Sequence, residues 1–300
     1  MAGSLATVGT SIAVVGPGAI GATVAACLHQ AGHVVLLCGR TPREHLDVRV
    51  DGGGRIVVPG PVHTDPADIA DPVDLVLLAV KATQIGDAGD WLSTLCDENT
   101  TVCVLQNGVE QVELVQPHCP SSEVVPAVVW FHTELQPDGW FRVWIPPRVT
   151  LPGGAGPVAD VLRDAGCDVT IADDFTTAVW HKLLLNAVAG LEVLTGRRSG
   201  MFRRDDVAAL AREYLAECLA VARAAGARLD DGVIDEVVGM FGGYPDDIGT
   251  SMLFDRQAGR PLEWDIRNGV ILRKACEHGL PAPVSEVVVP LLAAASDGPG

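Results

Sequence analysis

Ile12-Ala13-Val14-Val15-Gly16-Pro17-Gly18-Ala19-Ile20-Gly21 is the stretch on which the fold turns. Its first four residues are apolar and mostly β-branched, as in a strand buried on both faces. The glycine-spaced loop that follows ends the strand and opens a helix, expected over Ile20–Gln30 and closed by Gly32. A second apolar run, Val34–Cys38, comes directly after. Strand, glycine loop, helix and strand in that order are the context that gives the spacing its meaning. Gly16 permits the tight turn, Gly18 lets the backbone approach a pyrophosphate, and Gly21 lets the helix pack close on the strand. The amides and dipole of the helix start favour an anion there. Gly16, Pro17, Gly18, Ala19, Ile20 and Gly21 are therefore read as a dinucleotide cradle, in which Pro17 has no N–H to donate.

Outward from this unit, further apolar runs at Leu75–Val80, Val102–Leu105 and Val124–Val129 alternate with helical stretches at roughly Gln84–Leu95 and Val109–Val115. This rhythm predicts a doubly wound α/β domain with a parallel sheet. Asp138-Gly139, between Glu134-Leu135 and Trp140–Ile145, suggests an antiparallel hairpin on the sheet edge. After Ile171 the strand-like runs stop. Phe175–Leu194, Asp205–Ala225, Val233–Met240 and Leu262–His278 carry helical spacing, and Asp173-Asp174 makes a natural helix start. The expected division is an α/β domain over 1–172 and an all-helical domain over 173–300, with the tail after Ala295 frayed.

The 300 residues are 48% hydrophobic and 20% charged, enough for a folded core. A formal net charge of -17 without a Lys/Arg cluster argues against nucleic acid. A small anionic substrate remains open, but it would need local positive charge. The 8 cysteines contain no C-x-x-C pair and read as free buried thiols of a reducing cytosol. The histidines are dispersed, and no metal is expected. Met1 to Ser11 carries no basic residue, and the apolar run after it is too short for a signal peptide. No stretch approaches the ~20 apolar residues of a membrane span. A cytoplasmic protein without membrane contact is expected.

The second strand ends in Cys38-Gly39-Arg40-Thr41-Pro42-Arg43. The acid that usually holds the ribose 2′-hydroxyl of NAD is missing there, and Arg40 stands in its place. A guanidinium matches a 2′-phosphate, so NADP(H) is favoured over NAD(H). Lys81 ends Leu75–Val80 and Asn107 follows Val102–Gln106, both on the strand-end edge where such sheets bind ligands. Lys182 and Asn186 are four apart in the apolar segment Ala178–Val188 and share a helix face. A half-buried lysine could protonate a carbonyl oxygen as hydride reaches its carbon; a plain solvent-facing stripe reads the same spacing equally well. Spacing alone gives Ser251 and Glu263 ordinary readings, a helix cap and an acid in a first helical turn.

Taken together, these pieces resemble the ketopantoate reductase family over nearly the full chain. The matching segments are Gly16–Gly21, Val80-Lys81-Ala82-Thr83-Gln84, Gln106-Asn107-Gly108, Lys182–Asn186, Ser251-Met252-Leu253 with Asp255, and Glu263 with Asp265 and Asn268-Gly269. The resemblance implies a Rossmann domain followed by an all-helical C-terminal domain of the 6-phosphogluconate dehydrogenase type, with the site in the cleft between. It implies Lys182 as general acid and Asn186 and Ser251 as substrate ligands. Lys81, Asn107 and Glu263 would touch the nicotinamide ribose or the substrate, and Arg40 the 2′-phosphate. The implied reaction is NADPH-dependent reduction of a 2-oxo acid, with ketopantoate to pantoate in pantothenate biosynthesis as the default. The family commonly has a second Asn four residues after the first; here that position is Gly190. That departure motivates the alternative of another 2-oxo acid or ketone. A non-catalytic NADPH-binding sensor is a third reading. A homodimer is an open expectation, since the apolar surface of the helical part suits either a partner or an internal core.

Overall fold

The computed structural model describes residues 9–144 and 146–298. Met1–Val8, Ile145, Pro299 and Gly300 lie outside the described residues, and with them most of the N-terminal segment and the last residue of the expected hairpin. The chain divides into two compact units. One holds the residues up to Gln106 and Glu110–Phe175; the other holds Asn107–Val109 and everything from Thr176 on.

The first unit contains strands β1 (Ile12–Val15), β2 (Val35–Cys38), β3 (His45–Val50), β4 (Arg55–Pro59), β5 (Val62–His63), β6 (Leu75–Leu78), β7 (Thr101–Val104), β8 (Glu123–Pro126), β9 (Val128–Val129), β10 (Thr133–Leu135), β11 (Phe141–Val143), β12 (Arg148–Pro152) and β13 (Asp168–Ala172). Its helices are α1 (Ala19–Gln30), α2 (Gly89–Leu95), α3 (Gln111–Val115) and α4 (Gly156–Asp164). The main sheet is parallel, in the order β5-β2-β1-β6-β7-β8. The chain runs outward from β1 on one side and returns through β6 on the other, so the strand order reverses between β1 and β6. Ligands of open α/β sheets bind beyond the strand ends at such a switch. The continuous apolar runs have a simple cause: Ile12 and Val14 enter one core, Ala13 and Val15 the other, on opposite faces of the sheet.

The hairpin forms, β10 antiparallel to β11, but not on the edge of the parallel sheet. It belongs to a separate four-stranded sheet, β10-β11-β3-β4. The cause is the pair β3 and β4, folded back around Asp51–Gly54. Buried positions alternate with more exposed ones along both strands, and Leu46, Val48, Ile56 and Val58 are buried with Phe141 and Val143 in the core that α1 shares. Val124–Val129, expected as one strand, breaks at Ala127. β8 pairs with β7, while β9 pairs with β12 in a third sheet, β13-β12-β9. The stretch Gln84–Leu95 is helical only as α2, preceded by two short 3₁₀ turns. Gly86 and Gly89 weaken a continuous helix there.

The cysteines are free, and most are partly or wholly buried, but Cys276 is exposed. Burial pushes the thiols of Cys38 and Cys103 up to about 12. Cys27 hydrogen-bonds Cys167, and Cys96 hydrogen-bonds Cys119, pairings that sequence spacing does not show.

The second unit is built on α5 (Phe175–Thr195), followed by α6 (Asp205–Ala224), α7 (Gly232–Gly243), α8 (Ser251–Gln257), α9 (Val270–His278) and α10 (Pro283–Ser296). From Val179 to Val193 most side chains of α5 are buried, which makes it the central helix of the unit. The expected helix Leu262–His278 is composite: Asp265–Gly269 is a π-helical turn leading into α9. Such turns frequently mark functional sites. α10 was not expected from spacing, though Pro283 occupies its first turn. It extends through Ser296, so the expected fraying begins no earlier than Asp297. Among the described residues no helix is long and apolar enough to cross a membrane.

Candidate active site

β1 delivers the chain into the glycine loop at the switch point of the sheet. Gly16 has φ +88°, a left-handed conformation that favours glycine, and a Cβ there would meet the Val80 backbone nitrogen at 2.7 Å. Its amide donates to Cys38 O at 2.8 Å, which ties the turn to the end of β2. A Cβ at Gly21 would collide with the Gly16 carbonyl oxygen, so that glycine lets the helix start sit on the turn. Gly18 caps α1 with no side-chain hydrogen bond, and a Cβ there would meet nothing within 4 Å. The first turn of α1 holds no acidic residue. Open space at Gly18 and uncapped amides at a helix start fit a pyrophosphate. Pro17 packs instead against Gly39, where a Cβ would meet Pro17 Cδ at 2.8 Å.

Arg40 follows β2 with its side chain 67% exposed and makes a loose 3.5 Å contact from Nη1 to Asp87 Oδ2. Arg43 is committed elsewhere: its Nη1 donates to Gly139 O at 2.9 Å, and its guanidinium lies over Phe141. Of the two arginines, Arg40 is the one free to meet a phosphate. Lys81 begins the 3₁₀ turn after β6, next to Val80 against which Gly16 packs. Gln106 Nε2 donates to Val80 O at 2.8 Å, and Gln111 Nε2 donates to Ala127 O at 3.0 Å. These buried amides fix the strand ends from which Lys81 and Asn107 emerge.

In the second unit, Lys182 is half-buried on α5 and Asn186 lies one turn further on, 8% exposed. Asn186 Nδ2 donates to Asn107 Oδ1 at 3.1 Å. Gly108, at φ +104°, lets this short loop approach Ile266, whose Cβ a glycine Cβ would meet at 3.3 Å. The structure thus brings Asn107, Asn186 and the Lys182 helix together. Thr250, not Ser251, caps α8; Ser251 is its first residue and is exposed. Ser251 Oγ accepts from Arg267 Nη2 at 3.3 Å, and the same nitrogen donates to Glu263 Oε2 at 2.8 Å. Glu263 is buried just before the π-helical turn. His181, next to Lys182 in sequence, turns aside to Glu236 at 3.1 Å.

Residues 12–154 match the family described as ketopantoate reductase PanE/ApbA, and residues 174–296 match its C-terminal part. The chain belongs to the ketopantoate reductase family. It is 64% identical to a 2-dehydropantoate 2-reductase of Mycobacterium tuberculosis over 97% of this chain and 99% of that one. A Caulobacter vibrioides 2-dehydropantoate 2-reductase is 36% identical over 96% of this chain and 99% of the relative. Among solved structures, a dimeric ketopantoate reductase from Staphylococcus aureus superposes with a TM-score of 0.87 at 27% identity, covering 97% of this chain and all of that one. Ketopantoate reductases use NADPH, in accord with Arg40 in the place of an acid.

Gly190, where the family commonly carries a second Asn, is crowded. A Cβ there would meet Asn268 Nδ2 at 2.9 Å and Leu292 Cδ1 at 3.1 Å. The Asn268 amide is fixed in that space by bonds to Ala187 O and Tyr214 OH, both 2.9 Å. A side chain at this position would have to displace the Asn268 amide or Leu292. Three polar groups of this region escape a reading by spacing: Arg267, Thr250 and Glu192. The i,i+4 spacing of Glu263 and Arg267 was a usable signal, but on its own it describes any solvated helix face.

Proposed function

We propose that this chain reduces 2-dehydropantoate to pantoate with NADPH, with residues 1–172 holding the cofactor and 173–300, joined by Asn107, holding the substrate. The observation that carries this reading is the Asn107–Asn186 hydrogen bond one turn beyond Lys182 on α5, in a chain so similar to curated 2-dehydropantoate 2-reductases. When bound, NADPH supplies the hydride that reaches the keto carbon.

The remaining roles belong to the chain. The helix-start amides of Ala19, Ile20 and Gly21 hold the pyrophosphate at the start of α1, where the dipole favours an anion. Arg40 takes the 2′-phosphate, which a guanidinium matches with two parallel donors. Lys81 and Glu263 are given the nicotinamide ribose on the family resemblance alone. Asn107, Asn186 and Ser251 orient the 2-oxo acid, and the Asn107–Asn186 bond keeps both amides in one arrangement. Lys182 gives a proton from Nζ to the keto oxygen as it becomes a hydroxyl, and solvent restores that proton. The crowding gives Gly190 a packing cause, and the choice of 2-dehydropantoate rests on the similarity to 2-dehydropantoate 2-reductases. A cytosolic homodimer completes the reading, with the S. aureus relative described as dimeric.

The test is NADPH oxidation by the purified protein with 2-dehydropantoate, with NADH and a panel of other 2-oxo acids in parallel. Turnover that prefers NADPH and gives 2-dehydropantoate the highest kcat/KM is expected. A better kcat/KM for another acid would move the substrate, and cofactor binding with no turnover of any carbonyl would favour a sensor. Light scattering in solution checks the dimer.

A further inference from the structure

Among the described residues, the buried side-chain nitrogen and oxygen atoms without a hydrogen-bond partner are Thr250 Oγ1, Arg267 Nε and Asn268 Oδ1. Buried polar groups are almost always paired, so such exceptions mark where something else belongs. All three lie on or beside the elements that carry Ser251 and Glu263. Arg267 stands out within this group. Its side chain is 5% exposed, in a protein whose formal net charge is -17. Burying a guanidinium is costly unless its charge is matched and its donors are used. Glu263 matches the charge at 2.8 Å, yet Nε remains unpaired.

Nη2 carries two protons. One goes to Glu263 Oε2 and the other, at 3.3 Å, to Ser251 Oγ. A serine hydroxyl has one proton to give and two lone pairs to accept with. With the buried guanidinium donating to Oγ from within the fold, the hydroxyl proton cannot point back at Arg267. It is left for a group on the exposed side of Ser251. The same guanidinium pins the Glu263 carboxylate, whose free charge would repel an anionic substrate.

We propose that Arg267 is a positioning and specificity-determining residue: it holds Ser251 Oγ as an acceptor, so that the Ser251 O–H donates to the carboxylate of the 2-oxo acid, while it neutralises Glu263. The proposal rests on the substrate role given to Ser251 above. By cancelling the Glu263 charge and turning the Ser251 O–H outward, it lets an acidic protein select an acid over its uncharged analogue.

The test is a double-mutant cycle of Ser251→Ala and Arg267→Met, read as kcat, KM and NADPH Kd. The substrates are 2-dehydropantoate and its neutral methyl ester. In the Ser251 background, Arg267→Met is expected to raise KM for the acid by about tenfold or more, the worth of one charge-assisted hydrogen bond, with a much smaller change for the ester. In the Ser251→Ala background the same substitution should add less than about threefold, because the group it acts through is gone. A change in NADPH Kd common to both Ser251 backgrounds reports the Glu263 carboxylate that Arg267 pins, and the coupling to Ser251 is read on KM for the acid. Equal losses for acid and ester, or additive losses in the two backgrounds, would overturn the proposal in favour of a structural role. Arg267→Lys keeps a cation beside Glu263 but is too short to serve Ser251 as well. It should show the same coupling, and it carries the test if the Met variant does not fold. Should wild-type protein prefer another 2-oxo acid, the assignment of 2-dehydropantoate fails and the cycle is read on the preferred acid. Binding of no 2-oxo acid to the NADP complex overturns both.

Discussion

Lys182 stands one turn before Asn186 on α5, and its proposed task is proton transfer rather than binding. Lys182→Ala should therefore lower kcat by about 10²–10⁴-fold, the usual worth of a positioned acid, and leave NADPH affinity nearly intact. Unchanged kcat in stopped-flow turnover would remove Lys182 from the chemistry. Arg40 has the opposite profile. Its guanidinium is exposed and barely engaged at 3.5 Å from Asp87, so its loss should spare the fold. Arg40→Ala should weaken NADPH binding by about tenfold and leave NADH binding almost unchanged, as fits one charge-assisted phosphate contact. Equal losses for the two cofactors, measured by fluorescence titration, would place the 2′-phosphate elsewhere. At Gly190 the sign of the effect is itself informative. Gly to Ala in a helix ordinarily stabilises, by up to about 1 kcal/mol. Here the added carbon would meet Asn268 Nδ2 at 2.9 Å, and both protons of that nitrogen are committed to Ala187 O and Tyr214 OH. Gly190→Ala should destabilise by about 1–3 kcal/mol, an overpacking effect visible in denaturant unfolding. A more stable variant would mean that the Asn268 side chain gives way.

At the level of elements, α5 organises the start of α8 through one buried carboxylate. Glu192 Oε1 accepts from Ser199 Oγ at 2.8 Å, and Oε2 accepts from the Thr250 amide at 3.1 Å. Thr250 caps α8 without a side-chain bond of its own, so Glu192 satisfies one of the donors of that helix start. Burial raises the Glu192 pKa above the usual carboxylate range, against the opposing pull of the Ser199 and Thr250 bonds and the Arg198 charge. A carboxyl whose pKa is raised by folding binds more protons in the folded state. Its contribution is fully present below the unfolded pKa, ~4.3, and is lost as pH rises through the folded value. Glu192→Gln keeps the shape, with its oxygen for Thr250 and its amide for a rotated Ser199 hydroxyl. The wild type should lose stability relative to this variant as pH rises above the ordinary glutamate range; parallel Tm curves across pH would refute the assignment. The elements also show what sequence could and could not reveal. The glycine loop and α5 were legible because their signals are local: a spacing inside one βαβ unit and an apolar run longer than any strand. The β3–β4 pair was not, because the exposed Val57 blurs the pattern of β4, and the buried face acquires meaning only when β11 lies beside β3. Lys182 and Asn186 could be placed on one face by counting. The reason for Gly190 could not, because Asn268 reaches it only through tertiary packing, and the burial of Arg267 was hidden for the same cause.

The whole molecule sets a field against which the site works. Both the 2-oxo acid and NADPH are anions, and the chain carries a formal net charge of -17. At low ionic strength that charge acts over a Debye length of ~30 Å and slows the approach of an anion; near 0.15 M salt the length falls to ~8 Å. The donors proposed to receive the substrate, Lys182 and Ser251 among them, act at contact distance, where screening is weaker, and the Arg267–Glu263 pair behind Ser251 is buried. Salt should therefore remove long-range repulsion before it weakens local attraction. With NADPH saturating, kcat/KM for 2-dehydropantoate is expected to rise by roughly a few-fold between ~0.01 and ~0.15 M NaCl. Further salt should then reverse the trend, as competing ions reach the site itself. Measured at constant pH with a neutral 2-oxo ester as control, the rise should be confined to the acid. A steady fall from the lowest salt onward would mean that the entrance to the site is locally positive beyond contact range. In that case the acidic surface lies away from the path of the substrate, and clustering of charge rather than net charge governs its capture.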